Sequence, residues 1–198
     1  MNTHTTQTGI QTQSNIAPFA QARFTQPDVL TFYAQPYDIS ATGFYFGSTD
    51  DYETKSEANR NEYGQPVEEY EFQIIDGTAE ECALFNVCSV NQCNISEFIE
   101  LVETLLNHDL AALYYLCSNH GMSMSEATDM LDDVTLYSGR MKDAAQEQFD
   151  EFHLHEIPVH LHNYIDYEAY QNDLQCGGDM VEFDFAGDTY TCTNSNSL

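Results

Sequence analysis

Positive charge is what this sequence has least of. Its 198 residues include 5 Lys and Arg against 33 Asp and Glu, a formal net charge of −28. The basic residues are Arg23, Lys55, Arg60, Arg140 and Lys142. Between Asn61 and Gly139 there are 15 acidic side chains and no basic one, and from Asp143 to the end there are 12 more without a basic partner. Such a field repels DNA, RNA and anionic membranes, which excludes direct binding to any of them. Long apolar runs are missing too: no stretch approaches the ~20 residues of a membrane span. The start Met1-Asn2-Thr3-His4 has no basic or apolar leader pattern, so a cytoplasmic location is expected. The six cysteines (82, 88, 93, 117, 176 and 192) include no C-x-x-C pair. Their mostly apolar settings read as reduced, mainly core thiols. There is no Gly-rich phosphate loop and no EF-hand loop, so neither nucleotide nor calcium chemistry is indicated.

What is present is material for a folded body. Hydrophobic residues make up 42% of the chain, with 12 Phe and 13 Tyr, unlike a disordered acidic tail. Unpaired like charge opposes the compact state, so its retention calls for a reason. Attraction to a basic groove, of the kind nucleic-acid-binding proteins carry, is one. Halophilic or chaperone-like solubility is another, and composition alone leaves both open.

Residues 1–27, rich in Gln and Thr, read as a tail. Val29–Ala34 and Gly43–Phe46 are strand-like, 49–62 reads as a polar helix stopped by Gly64 and Pro66, and Glu69–Ile74 alternates so that Tyr70, Phe72 and Ile74 share a buried face. The middle is helical. Asn94-x-x-Glu97 and Ser123-x-x-Glu126 have the form of capping boxes. Apolar stripes run through Phe98, Leu101, Val102, Leu105 and Leu106, then Leu110, Leu113, Tyr114 and Cys117, then Ala127, Met130, Leu131 and Val134, then Met141, Ala145, Gln148, Phe149 and Phe152. Asp166 caps a short helix over 167–175 that Gly177-Gly178 ends, and a hairpin turning at Gly187-Asp188 follows. Residues 194–198 read as frayed. The expected fold is α+β, cut into an N-terminal α+β domain (28–92), a central helical domain (93–138) and a C-terminal α+β domain (139–198).

The helices set acids opposite these stripes: Glu97, Glu100 and Glu103; Asp109; Glu126, Asp129, Asp132 and Asp133; and Asp143, Glu147, Asp150 and Glu151. Residues three or four apart on a helix lie about 5–6 Å apart, so these carboxylates form rows, which isolated helices mildly resist. Duplex DNA carries one charge for about every 1.7 Å of axis, so a net charge of −28 matches the phosphates of roughly 14 base pairs.

Enzyme chemistry finds less support. His153-x-His155 and His160-x-His162 flank Glu156 in a spacing that suits zinc, but Ile157-Pro158 interrupts it and no cysteine pair accompanies it. Cys117 and His120 are near one another on a helix, where packing outweighs a nucleophile pair. No catalytic residue, metal or cofactor is assigned. A metal-dependent acidic enzyme built on the histidines is the alternative from a different class.

The run Glu156-Ile157-Pro158, Leu161, Asn163-Tyr164-Ile165-Asp166-Tyr167-Glu168-Ala169-Tyr170 and Asp173-Leu174 resembles a segment of ArdA antirestriction proteins. Pro66-Val67-Glu68-Glu69-Tyr70-Glu71-Phe72-Gln73-Ile74-Ile75-Asp76-Gly77 is similar to the N-terminal domain of that family, and Phe32-Tyr33-Ala34-Gln35-Pro36-Tyr37-Asp38 to phage and plasmid relatives. The resemblance implies an elongated protein of three small domains acting in a bacterial host. It implies a homodimer formed through the C-terminal domain, where Tyr164, Ile165, Tyr167 and Tyr170 are the candidates. It also implies that the acidic rows stand in for DNA phosphates against the specificity and methyltransferase subunits of type I restriction–modification enzymes. The Gln/Thr-rich leader, the histidine-rich 153–162 segment and the cysteines depart from the family and leave another defence nuclease or DNA-binding protein as an alternative target.

Overall fold

The computed structural model describes residues 29–198, so the expected tail over 1–27 lies outside the described residues. It is a mixed α+β structure with two antiparallel three-stranded sheets. The first sheet has the order β2-β1-β3, from β1 (Thr31–Pro36), β2 (Phe44–Phe46) and β3 (Tyr70–Asp76). Phe32 faces Phe46 on one side and Ile74 on the other, and Ala34 faces Phe44 and Phe72. The two-residue period therefore turns Phe32, Ala34, Tyr70 and Phe72 inward and leaves Gln35, Glu71 and Gln73 outward. Phe32, Phe46, Tyr52 and Phe72 interlock, with ring centroids 5.0–5.1 Å apart from Phe32 to Phe46, Phe46 to Tyr52 and Tyr52 to Phe72.

Tyr52 is the one buried residue of α1 (Thr49–Ala58), a polar helix begun by the Ser48 hydroxyl accepting from the Asp51 N–H. This helix stops before the expected 62. Asn59 turns to extended backbone and its amide donates to Thr42 O and the Tyr70 hydroxyl, while Arg60 and Pro66 form an isolated bridge. A helix absent from the sequence reading follows, α2 (Ala79–Val87), with Thr78 and Glu81 in a reciprocal capping box.

α3 (Ile95–Thr104), α4 (Asn107–Asn119) and α5 (Met124–Asp129) come next. In α4, Leu110, Ala111, Ala112, Leu113, Tyr115, Leu116 and Cys117 are all buried, so its contacts run all round and not along one stripe. It packs on α2 and α5 and touches the second sheet at β5. The resulting core is continuous from Phe32 and Phe46, through Phe98 and Leu116, to Phe185 and Cys192.

The second sheet has the order β4-β6-β5, from β4 (Leu136–Ser138), β5 (Val181–Phe185) and β6 (Asp188–Cys192). The β5–β6 turn comprises Ala186 and Gly187, both at positive φ, as a two-residue hairpin with the strands' twist requires. It lies one residue earlier than the expected Gly187-Asp188. Between β4 and β5 lie α6 (Met141–Phe152) and α7 (Tyr167–Gly177), which pack on each other. Asp166 caps α7 by accepting from the Ala169 N–H, and left-handed Gly178 ends it. Met141, Ala144, Ala145 and Met180 form a smaller second core beneath Tyr137, Tyr170 and Leu174.

Four local expectations are corrected. Asn94 precedes α3 but makes no side-chain cap; its Oδ1 accepts from the Asn91 N–H in the preceding turn. Leu106 is 74% exposed because α3 has already ended at Thr104 and the chain turns there into α4. Phe152 is 56% exposed at the end of α6, outside the stripe it was assigned to. The C-terminal residues are not frayed: Tyr115 donates its hydroxyl to Ser195 Oγ, and the Asn196 amide donates to Gly177 O and Asp179 Oδ1. Burial of Tyr115 pushes its phenol up to about 12, so this anchor stays a donor at neutral pH.

Candidate functional site

All twelve carboxylates singled out in the sequence are exposed or half-buried, and none is buried. Glu97, Glu100 and Glu103 follow the outer side of α3, whose other side buries Ile95, Phe98, Ile99 and Leu101. Asp109 sits in the first turn of α4. Glu126 and Asp129 lie on α5, and Asp132 and Asp133 on the 3₁₀ turn Leu131–Asp133 that follows. Asp143, Glu147, Asp150 and Glu151 lie on α6; the first three, with Tyr137 and Gln146, line an open cleft.

Two of the twelve are held by neighbours. Ser123 donates its N–H and hydroxyl to Glu126 Oε2 at 3.0 and 2.7 Å, which lowers the Glu126 pKa and completes a capping box. Tyr167 donates to Asp150 Oδ1 at 2.6 Å; the adjoining carboxylate raises the phenol's pKa and fixes α7 against α6.

Cations do little to neutralise this surface. Among the described residues the Lys or Arg side chain within ion-pair reach of a carboxylate is Lys55, 2.7 Å from Asp51, and the His155 ring lies 3.9 Å from Glu156. Arg60 directs its guanidinium to the carbonyls of Glu57 and Asn59. Among the described residues the acids on α3, α5 and α6 therefore have no cation partner, although like charges at helical spacing each oppose the helix by ~0.2–0.5 kcal/mol.

Further exposed acids lie outside the rows read from the sequence. Glu69 and Glu71 flank inward Tyr70, and Glu182 and Asp184 flank inward Phe183, so strand alternation was the signal that marks them. Glu182 also accepts the Met141 N–H at 2.7 Å and so holds the start of α6.

The tyrosines assigned to a dimer contact separate into two groups. Tyr164 is 83% exposed, near exposed Val159 and Leu161 on the 3₁₀ segment Val159–Tyr164. Ile165 is half-buried. Tyr167 and Tyr170 are engaged within the chain, each edge-on to Phe149 of α6.

The histidines do not converge. His162 bonds to Ile157 O, His153 lies against Phe149 and Tyr170, and among the described residues no three His, Cys, Asp or Glu side chains form a group able to hold a metal. Cys117 meets Cys88 and not His120, whose ring lies by the Tyr115 hydroxyl. Cys88, Cys117 and Cys192 are buried, whereas Cys93 and Cys176 are exposed, so the thiols are core residues only in part. No helix of the described residues is long and apolar enough to cross a membrane.

The family model described as antirestriction protein (ArdA) matches residues 47–186, from the residue before Ser48 of the α1 cap to the β5–β6 turn. This chain belongs to the ArdA family. No curated protein matches it individually. ArdA proteins are non-enzymatic inhibitors of restriction systems, so restriction–modification enzymes are the targets the family implies and the enzyme alternative is set aside.

Proposed function

We propose that this ArdA protein inhibits a type I restriction–modification enzyme by occupying its DNA-binding groove, with surface carboxylates in the place of DNA phosphates. The observation that carries this reading is the exposure of acids on α3, α5 and α6 with, among the described residues, no cation paired to them. A groove that neutralises duplex phosphates with Lys and Arg attracts such a surface for the same electrostatic reason. The specificity and methyltransferase subunits form that groove, and Glu97, Glu100, Glu103, Asp109, Glu126, Asp129, Asp132, Asp133, Asp143, Glu147, Asp150 and Glu151 face it. The three small domains expected from the sequence, with limits near residues 92 and 138, would then act as one series over a shared core that runs from Phe32 to Cys192, with β4 carried by the C-terminal sheet. Two copies join through the C-terminal domain around Tyr164 and Ile165, and the exposure of Tyr164, Val159 and Leu161 supports this contact.

The test is competition on a type I methyltransferase core carrying labelled specific DNA, at low and raised salt. Stoichiometric displacement that weakens with salt is the expected result. Failure to displace DNA at low salt would overturn the type I assignment. Inhibition of a different DNA-binding defence nuclease in the same assay format would then redirect the target.

A further inference from the structure

The two buried thiols of Cys88 and Cys117 lie in direct contact, with Sγ atoms 3.9 Å apart. Cys88 closes the C-terminus of α2, and Cys117 lies in the last turns of α4, the helix on which α2 packs. Burial alone would make such thiols inert, but both also line an open cavity together with Ser89, Asn91, Asn94 and Met122. A small oxidant can therefore enter beside the sulfurs. Ser89, immediately after Cys88, stands at φ 50, the left-handed conformation that commonly ends a helix. Sulfurs already in contact need only a short approach to reach the bonded separation of about 2.05 Å.

We propose that Cys88 and Cys117 are a redox-responsive pair that closes into a disulfide between α2 and α4 when a low-molecular-weight disulfide such as oxidised glutathione enters this cavity. The Cys88 S–H points to Cys117, which favours the Cys117 thiolate and disfavours that of Cys88. The Cys117 thiolate attacks one sulfur of the small disulfide, forming a mixed disulfide and releasing one small thiolate, which takes up a proton. The Cys88 thiol then gives up its proton, and its sulfur attacks Cys117 Sγ and expels the second small thiol. Two protein thiols are oxidised and one small disulfide is reduced to two thiols. The bond would enclose all of α3, and the same cavity wall includes Ser123 and Glu126 at the start of α5. The closed pair would thus brace the two acid-bearing helices where they begin. This inference rests on the thiol geometry and holds whether or not the acids mimic DNA.

The test uses the full chain equilibrated in mixtures of oxidised and reduced glutathione, alkylated and mapped by peptide mass spectrometry, with urea unfolding in parallel. The expected product is a Cys88–Cys117 linked peptide, and a rise in unfolding midpoint that the reductant reverses. C88S should leave Cys117 as a mixed disulfide with glutathione and remove the rise. A C93S/C176S double variant, altered only at the exposed cysteines, should form the link as wild type does. Alkylatable Cys88 and Cys117 under conditions that fully glutathionylate Cys93 and Cys176 would overturn the proposal, as would a linked peptide joining other cysteines.

Discussion

α4 and α6 are nearly equal in length, at 13 and 12 residues, and share almost nothing else. α4 buries seven residues and carries a single acid, Asp109. α6 buries Met141, Ala144 and Ala145 and carries Asp143, Glu147, Asp150 and Glu151. Desolvating a carboxylate costs several kcal/mol, so a helix packed on every side has no room for a row of them. A helix seated by three small or flexible side chains leaves most of its circumference to solvent. The strongly negative surface is therefore compatible with a close-packed interior because the two tasks fall on different helices. α3 lies between these limits, with Phe98 and Leu101 inward and Glu100 and Glu103 outward.

The sharpest way to break this division is to neutralise the acid helices together. Changing Glu97, Glu100, Glu103, Asp143, Glu147 and Glu151 to their amides, while leaving Asp150 with its Tyr167 bond, removes charges that, at about 0.5 kcal/mol per exposed pair formed with a target, weaken inhibition by on the order of a hundredfold. Urea unfolding of the same variant should show equal or greater stability, because like-charge repulsion within the rows is relieved. Lost inhibition combined with lost stability would mean that the acids hold the fold and that the division is false.

The converse substitution is Leu116→Ala in α4, at a side chain with no exposure. The cavity it leaves should destabilise the chain by about 3 kcal/mol in urea unfolding. Inhibition per folded molecule should stay unchanged, since no acid moves. A selective loss of inhibition with normal unfolding would place α4 in the target contact.

How much of this was legible in the sequence follows from how local each cause is. The Asp166 cap, the Gly178 terminus and the Ser123–Glu126 box depend on neighbours within four residues, and all three are found as read. The outward acids of α3 and α6 were legible because burying an unpaired carboxylate is prohibitive in any fold. α2 was not, since Glu80, Glu81 and Asn86 are spread around Ala79–Val87 and leave no apolar stripe to detect. β4 was not either: three residues show no period, and it is a strand only because β6 lies beside it. Phe152 and Leu106 fit their stripes in sequence but lie beyond or at the edge of the turns that are packed, which only the tertiary contacts decide.

A smaller effect separates a carboxylate with a structural duty from one without. The Ser123 bonds lower the Glu126 pKa below its ordinary, unfolded value. The resulting stabilisation is complete above the ordinary carboxylate value and disappears as pH falls through the lowered folded value. Ser123→Ala should therefore unfold at lower urea than wild type at neutral pH, and the gap between the two midpoints should narrow in acid. A gap independent of pH would assign the cap to the serine hydroxyl alone.

The smallest effect tests whether α6 acts as a row or through one privileged acid. Glu147 is exposed, lines the α6 cleft beside Asp143 and Asp150, and makes no hydrogen bond to another residue's side chain among the described residues. Glu147→Gln keeps its size and removes one charge, which at an exposed site changes binding by ~0.2–1 kcal/mol, or roughly 1.4- to 5-fold in inhibition. That change should shrink as salt is raised, because screening removes the contribution of each exposed charge alike. If this one substitution abolished inhibition at every salt concentration, Glu147 would be making a specific, desolvated contact. α6 would then be read as a conventional protein–protein hot spot, with its other acids as solvated surroundings.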